Sequence, residues 1–489
     1  MATPTINRSA ESAPAKPAKP TAREALAALV DRDSFVEFGA DAQHQCTAFG
    51  MQAKRPAGDA VVTGTAEIDA RPAAVFAQDV SVLGGTLGAT HAQKIAQVLD
   101  QAERARCPVV GVLDSGGARI QEGVSALDGY ASIFRRNVAL SGRVPQISVI
   151  LGACAGGAAY SPALTDLIVM DRRAYMFLTG PKVVRSVTSE EVTAEDLGGA
   201  HVHSTASGLA HLVTERPEDA FPLVRKVLSY LPNSCWDELP VHLSRSPELV
   251  PEVPAQQRKT YDVRRVVRGL VDADSFLELQ PQYAANIVIG FARMDGMPVG
   301  VVANQPNVLA GTLDTQAAEK GARFVRMCDA FGLPLVTLVD TPGFMPGRSQ
   351  ETDGVIRRGA KLLYAFAEAT VPRVTVILRK AYGGAYIVMN SKQIGADRVF
   401  AWPTAEIGVM GAEGAVEIVF RRELAAEPGK RQELLDHYRS EALSPVLATS
   451  RQAVDALIAP AETRDAIVRV IRPLTRAQQP RHRHDNMPQ

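Results

Sequence analysis

At 489 residues the chain is longer than one hydrophobic core usually organises, so we expect two domains. Its 53 basic and 53 acidic residues balance, and no long basic run lies outside the ends, which argues against a nucleic-acid partner. The five cysteines form no C-x-x-C pair, which argues against a disulfide framework or a cysteine-rich zinc module. No apolar run is long enough to span a bilayer and no signal-peptide pattern begins the chain, so we predict a cytoplasmic protein without a membrane partner.

The beginning of the chain contains the first sign of an internal repeat. Residues 1–20 are rich in Ala, Pro, Lys and Ser and predict a disordered tail, because such a segment cannot bury an apolar face. From Thr21 the pattern predicts a short helix and then a strand. Residues 29–35 read LVDRDSF, and residues 270–276 read LVDADSF. The repeat therefore reaches the start of each half.

The next elements follow the same two-fold arrangement. The first half continues with predicted strands at 61–65 and 73–78, a glycine-rich turn at 81–90 and a helix at 91–104. A buried strand at 108–113 then leads into DSGGARIQEG, and a strand at 334–339 leads into DTPGFMPG. Asp114 and Asp340 thus follow matching strands. Each is interpreted either as a carboxylate at the ligand-binding edge of a sheet or as a helix cap.

The most informative segments are residues 144–161, VPQISVILGACAGGAAYS, and residues 371–391, VPRVTVILRKAYGGAYIVMNS. Their Val-Pro, Val-Ile-Leu and Gly-Gly groups recur 227 residues apart. Each segment predicts a strand buried on both faces that ends on a glycine pair. Backbone N–H groups at a turn that opens a helix attract negative charge and can stabilise an oxyanion. The alternative is that the glycines only allow tight packing; their recurrence in a repeat favours the functional interpretation.

The rest of the chain predicts domain boundaries and no metal site. His201, His203 and His211 lie close in sequence, but no carboxylate or Cys completes a familiar ligand set. Several prolines and little periodicity mark a linker at residues 246–260. We therefore expect an N-terminal domain at 21–245 and a C-terminal domain at 261–475. The polar tail at 476–489 is expected to fray.

Several motifs together resemble one protein family: DSGGARIQEG, CAGGAAYSPALTD, FLTGP, AEDLGGAH, NQP, RKAYGGAY and AWPTAEI. Over residues 21–473 the chain looks like the carboxyltransferase β subunit of biotin-dependent acyl-CoA carboxylases of the acetyl-/propionyl-CoA carboxylase type. The resemblance implies an α/β fold of two tandem crotonase-like domains of the ββα spiral type. It also implies a homohexamer built from dimers, with active sites at the dimer interface. Acyl-CoA is expected on the N-terminal domain of one subunit and carboxybiotin on the C-terminal domain of another.

The resemblance also implies site residues. In the family's mechanism carboxybiotin releases CO2, biotin itself removes the acyl α-proton, and two oxyanions need stabilising. By position, the amides of Gly156 and Gly157 are expected to hold the thioester oxygen, and those of Gly384 and Ala385 the biotin oxygen. The predicted substrate-binding residues are Gly116, Gly117, Ala118, Arg119, Gly383, Tyr386 and Ile387. Arg119, Lys182 and Arg379 are each either a contact for CoA phosphates or a solvated surface charge.

The chain lacks a Met-Lys-Met biotin-attachment motif and an ATP-grasp-like segment. Biotin is therefore expected on a partner α subunit that contains the biotin carboxylase and biotin carrier, and a coenzyme A thioester is the expected substrate. A small accessory subunit is a further candidate partner. Two alternatives stay open. One is the carboxyltransferase subunit of a decarboxylase coupled to a membrane sodium pump; the other is a non-catalytic scaffold that binds acyl-CoA.

Ile387 departs from the pattern of propionyl-preferring members, which usually carry an acidic residue directly after GGAY. An isoleucine beside an acyl pocket changes its shape and removes a charge. We therefore predict a preference shifted towards acetyl-CoA or a mixture of short acyl chains. The alternative is that Ile387 belongs to the hydrophobic core.

Overall fold

The computed structural model describes residues 19–488, which form two eight-stranded β-sheets with the same strand order. Residues 1–18 of the predicted tail, and Gln489, lie outside the described residues. The sequence repeat is therefore a structural repeat. Within residues 19–488 no helix is long and apolar enough to cross a membrane.

The first sheet has the order β1-β2-β3-β4-β5-β6-β8, and β7 pairs with the end of β5. The strands from β3 onwards run parallel, and β1 and β2 are antiparallel to their neighbours. Their bounds are β1 Val36–Glu37, β2 Val61–Ile68, β3 Arg71–Gln78, β4 Val109–Ser115, β5 Gln146–Ala155, β6 Leu167–Asp171, β7 Tyr175–Phe177 and β8 Leu212–Thr214.

The second sheet repeats this order as β9-β10-β11-β12-β13-β14-β16, with β15 paired to the end of β13. Its strands are β9 Leu277–Leu279, β10 Ile287–Met294, β11 Met297–Asn304, β12 Leu335–Thr341, β13 Arg373–Tyr382, β14 Arg398–Ala401, β15 Glu406–Gly408 and β16 Ala456–Leu457. The strands predicted at the centre of each half lie inside β5 and β13.

Helices cover the sheets and connect their parallel strands. They are α1 Ala22–Leu29, α2 Ala89–Ala105, α3 Val124–Leu140, α4 Tyr160–Ala163, α5 Pro181–Thr188, α6 Ala194–Gly198, α7 Ala200–Thr205, α8 Ala220–Leu228, α9 Val263–Leu270, α10 Thr315–Ala330, α11 Arg348–Thr352, α12 Val355–Glu368, α13 Gly383–Val388, α14 Ala412–Val419, α15 Arg421–Ala426, α16 Arg431–Tyr438, α17 Pro445–Ser450 and α18 Thr463–Ala477. The helix predicted at 91–104 lies within α2.

Each half begins its sheet with a tight hairpin. Asp69 and Ala70 connect β2 to β3, and Asp295 and Gly296 connect β10 to β11. All four residues have positive φ, between 53° and 77°. A two-residue loop with both central residues in that region matches the right-handed twist of the paired strands, and Asp and Gly adopt it readily. The Asp-Gly pair therefore favours the register of the second hairpin locally, whereas Ala70 in the first hairpin adopts a conformation that alanine rarely takes.

Asp114 and Asp340 lie where the strand register shifts between the two central strands of each half. Asp114 Oδ1 accepts the Ala153 amide at 3.1 Å, and Asp340 Oδ1 accepts the Lys380 amide at 3.2 Å. The helix-capping interpretation is therefore wrong for both residues. Each carboxylate instead holds the neighbouring strand at the point where it changes pairing partner.

The two halves share one hydrophobic core, which contains residues of both sheets. Tyr230 of the first half stacks on Phe291 of the second, with ring centroids 5.6 Å apart. The Tyr230 hydroxyl also donates to the Ser275 carbonyl at 2.5 Å. Residues 246–260, the predicted linker, form neither helix nor strand.

The C-terminal segment corrects one expectation. Residues 478–488 form no helix or strand, yet they pack across both halves. His484 lies 2.9 Å from the Asp329 carboxylate, and Asn486 is 1% exposed. Asn486 donates its amide to Ser141 Oγ at 2.8 Å and its side chain to Asp166 Oδ1 at 2.7 Å. The prediction that this end frays is wrong, because its polar groups have buried partners.

Candidate active site

Two glycine turns of the same geometry end β5 and β13. We call residues 156–158 the first glycine turn and residues 383–385 the second glycine turn. Gly156 and Gly383 have φ of 61° and 58°, a backbone conformation that side chains other than glycine rarely adopt. The residues before them are extended in both cases. The strand therefore turns directly into a helix at each place.

The backbone amides of these turns are free to bind a ligand. Those of Gly156 and Gly157 open one helix, and those of Gly384 and Ala385 lie in the first turn of the other. None of the four donates to another group in residues 19–488. The first N–H groups of a helix have no intrahelical acceptor, so they can donate to a negatively charged oxygen. The structure thus places the four predicted catalytic residues in the two repeat-related turns, where Gly157 matches Gly384, Gly156 matches Gly383 and Ala385 matches Ala158.

The two glycine turns differ in how closely neighbouring side chains pack against them. A methyl group on Gly157 would lie 2.8 Å from Cδ2 of Tyr130, whose ring packs under the first glycine turn. Tyr130 is 4% exposed on α3. A methyl group on Gly384 would meet nothing closer than the Phe344 ring at 3.9 Å. Packing is therefore tight at the first turn and loose at the second.

Of the predicted binding residues after β4, Gly117 packs against Ala155, directly before the first glycine turn, whereas Gly116 donates its amide to the Gly84 carbonyl at 3.1 Å. Gly117 has φ of 100°, and a Cβ there would lie 2.7 Å from the Ala155 carbonyl oxygen. Its own carbonyl accepts the Leu87 amide at 2.9 Å, and the next residue, Ala118, bridges to Leu87. Only glycine fits this close approach of two backbones. The loop after β4 is thereby packed against the end of β5.

Arg119 does not face a ligand. It is 2% exposed, and its guanidinium donates to Asp59 at 2.7 Å, to Glu122 at 2.8 Å and to the Thr86 carbonyl at 2.7 Å. Arg379 is 1% exposed. Neither a contact with CoA phosphates nor a solvated surface charge describes these two arginines, so both interpretations are wrong for them. Lys182 is exposed, and its role stays a prediction.

Ile387 is 48% exposed on α13, so the interpretation that it is a core residue is wrong. Tyr160, which lies 227 residues earlier, is 50% exposed at the start of α4. Both halves therefore present one large side chain to solvent one turn beyond the glycines. Tyr386 is partly buried, and burial raises the pKa of its hydroxyl.

One polar group beside the second glycine turn was not foreseen. Tyr382, the residue before Gly383, donates its hydroxyl to Glu406 of the neighbouring strand β15. Burial raises the pKa of Tyr382 well above its ordinary value, and the hydrogen bond to Glu406 raises it further. Arg439 lies 3.7 Å from the same carboxylate. The AWPTAEI motif contains Glu406, but only the strand pairing shows what it contacts.

Two of the three clustered histidines, His203 and His211, have protein partners for their rings, and His201 is exposed. His203 Nε2 lies 2.8 Å from the Met176 carbonyl, and His211 Nδ1 accepts the Ile168 amide at 3.1 Å. Burial lowers the pKa of His211 to about 3. No group of three His, Cys, Asp or Glu residues within residues 19–488 is arranged to hold a metal ion.

Comparison with known proteins agrees with this geometry. A family model described as the carboxyl transferase domain matches residues 15–487. The propionyl-CoA carboxylase β chain of Saccharopolyspora erythraea is 51% identical, over 96% of this chain and 90% of that protein. The β5 subunit of the biotin-dependent acetyl-/propionyl-coenzyme A carboxylase of Mycobacterium leprae is 50% identical, over 96% and 89%. The solved hexameric core of transcarboxylase 12S, with methylmalonyl-coenzyme A and methylmalonic acid bound, has a TM-score of 0.91 and 47% identity, with 96% and 93% covered.

The chain belongs to the carboxyl transferase family. It is an enzyme of the carboxyltransferase class. Within the family it groups with the β subunits of propionyl-CoA and acetyl-/propionyl-CoA carboxylases, which confirms the prediction from its motifs. The solved neighbours also confirm the predicted crotonase-like fold.

Proposed function

We propose that this chain moves a carboxyl group from carboxybiotin on a partner subunit to the α-carbon of acetyl-CoA, propionyl-CoA or both. The products are malonyl-CoA and methylmalonyl-CoA. The observation that supports this most directly is the pair of repeat-related glycine turns with unpaired amides. Two negatively charged oxygens have to be stabilised in such a transfer, one on the thioester and one on the biotin ureido group, and the chain offers two sets of donors.

Each glycine turn has its own role in this proposal. The amides of Gly156 and Gly157 hold the thioester oxygen, within a domain at residues 21–245. The amides of Gly384 and Ala385 hold the biotin ureido oxygen, within a domain at 261–475, and the positive φ of Gly383 aims them. Preorganised N–H donors of this kind each contribute about 3 kcal/mol where charge develops. Bound carboxybiotin supplies the CO2 and the base, so no side chain of this chain is assigned as acid or base.

Ile387 is the proposed determinant of acyl preference. Its exposed side chain lies on α13, next to the second glycine turn. An apolar side chain there favours a shift away from strict propionyl-CoA specificity, towards acetyl-CoA or a mixture of short chains.

We further propose that the chain works as a homohexamer with a partner α subunit that carries biotin carboxylase and biotin, and a small accessory subunit remains a candidate. The matching helices α3 and α12 expose large apolar side chains: Val124 is 67% exposed, Leu127 60%, Ile356 78% and Tyr364 60%. Patches of this kind usually mark protein interfaces. The hexameric transcarboxylase 12S core supports the same assembly.

The test is a carboxylation assay with the reconstituted biotinylated partner, ATP and bicarbonate. It compares acetyl-, propionyl- and butyryl-CoA for the native chain and for Ile387→Asp, and Ile418→Asp on α14 provides a matched exposed-isoleucine control. We expect the native chain to accept acetyl-CoA and Ile387→Asp to shift towards propionyl-CoA. A native chain that carboxylates none of the three with an active partner would contradict the proposed function.

A further inference from the structure

The buried carboxylates behind the two glycine turns are equivalent in position. Asp114 is 4% exposed and Asp340 is 1% exposed. They accept the amides of Ala153 and Lys380, which lie 227 residues apart and three residues before Gly156 and Gly383 respectively. Each carboxylate therefore anchors the last residues of the strand that carries a glycine turn.

In the second half, β13, the strand that ends in the second glycine turn, also supplies a cation to the Asp340 carboxylate. Arg379 donates Nε to Asp340 Oδ2 at 2.8 Å, and the Tyr261 hydroxyl donates to the same oxygen at 2.9 Å. The guanidinium also donates to the carbonyls of Gln256 and Lys259, at 3.0 and 2.8 Å. A buried carboxylate is tolerated when it is paired and hydrogen-bonded in this way.

The first half cannot use the same arrangement. The residue that corresponds to Arg379 is Gly152, which has no side chain to offer. The space is filled instead by Lys19, whose Nζ forms an ion pair with Asp114. A Cβ on Gly152 would overlap both the Lys19 ammonium and the Asp114 carboxylate. The glycine thus leaves room for a cation that comes from 133 residues earlier in the chain.

Local structure fixes the approach of Lys19. Two residues later, Thr21 caps α1, and a reciprocal pair of hydrogen bonds with Glu24 closes the capping box. The Lys19 side chain is 33% exposed, and burial lowers its pKa to about 8. Asp171 and Arg173 also lie near the ammonium.

We propose that Lys19 is a positioning residue for the first glycine turn, equivalent to Arg379 for the second. The assignment of the first turn to the thioester oxygen rests on the proposed function; the positioning does not. Without the ammonium, Asp114 is a buried carboxylate that lacks its cation, and its hold on the Ala153 amide weakens. The backbone N–H groups of Gly156 and Gly157 are then no longer held in one orientation, and the second glycine turn is unaffected.

The first experiment measures amide hydrogen exchange by mass spectrometry on the assembled chain without substrate. Lys19→Met keeps the length of the side chain and removes its charge, and Lys226→Met, at an exposed lysine of α8, is the matched control. We expect about tenfold faster exchange in peptides that cover 153–157 for Lys19→Met alone, with peptides that cover 380–385 unchanged. Arg379→Met should show the reverse pattern. Unchanged exchange at 153–157 in Lys19→Met would overturn the proposal, whatever the activity.

The second experiment measures how the charge at residue 19 affects turnover. Lys19→Met should lower kcat for carboxyl transfer about 10- to 100-fold, while the KM for the biotinylated partner stays at the Lys226→Met value. Lys19→Arg should retain most of the activity. A loss of activity in Lys19→Arg as large as that in Lys19→Met would overturn the positioning role. A native chain that transfers no carboxyl group but shows the expected exchange pattern would contradict the proposed function alone.

Discussion

Equivalent substitutions in the two glycine turns should have unequal effects. In Gly157→Ala the new methyl group lies 2.8 Å from the Tyr130 ring, whereas ordinary contact begins near 3.4 Å. Either the ring or the turn therefore has to move by about 0.6 Å. Because the Tyr130 ring is buried in a packed core, we expect the turn to move, which changes the orientation of its N–H groups. Loss of one oxyanion donor corresponds to about 3 kcal/mol, or roughly a 100-fold lower kcat.

Gly384→Ala provides the comparison, because its methyl group is 3.9 Å from the nearest atom of Phe344. We expect a loss of less than about tenfold there. The assay is carboxyl transfer from the biotinylated partner to acetyl- and propionyl-CoA, with assembly checked by light scattering. Tyr130→Leu removes the clash, so Gly157→Ala with Tyr130→Leu should be at least tenfold more active than Gly157→Ala alone. Equal losses in the two alanine variants, or no recovery in the double variant, would refute the packing argument.

Three further predictions follow from the same structure. Asn486→Ala should lower the free energy of unfolding by about 2 kcal/mol, seen as a lower thermal midpoint, because the buried Asp166 carboxylate loses a donor; an unchanged midpoint would contradict the docked tail. Burial lowers the pKa of His211 to about 3, so this side chain stays neutral in the folded chain, whereas in the unfolded chain it takes up a proton near pH 6.5. The free energy of unfolding therefore falls by about 1.4 kcal/mol per pH unit as the pH drops below 6.5 towards the folded-state pKa. His211→Gln should make the dependence of the thermal midpoint on pH shallower between pH 6.5 and 4. An identical slope would show that His211 does not cause this loss of stability. Ala385→Pro removes one amide donor and should lower turnover about 100-fold in the assembled protein; normal turnover would show that this amide holds no oxyanion.

The sequence alone was sufficient where structure depends on neighbouring residues. The buried runs before Gly156 and Gly383 predicted β5 and β13, because continuous β-branched residues suit a strand covered on both faces. The glycines predicted turns that need a positive φ, and the structure has φ of 61° and 58° there. The 227-residue spacing predicted that the two sites match, since repeated sequences fold into repeated elements.

The interpretations of the polar side chains Arg119, Arg379 and Asn486 failed because the groups around a side chain in the folded protein cannot be read from its neighbours in sequence. Arg119 and Arg379 looked the same in sequence as arginines that contact a phosphate. Their partners, Asp59 and Asp340, come from strand ends and loops that only the folded chain brings together. The same holds for Asn486, which binds Asp166 across 320 residues of sequence.

The amino-acid sequence by itself determined the repeated strands, their tight turns and the family motifs, because these depend on backbone sterics and on local runs of apolar, β-branched residues. Only the tertiary structure decided which charges are buried, which helix faces stay exposed and that Lys19 takes the place of an arginine missing at Gly152. Burial and ion pairing depend on groups far apart in sequence, and no local pattern specifies which of them will meet.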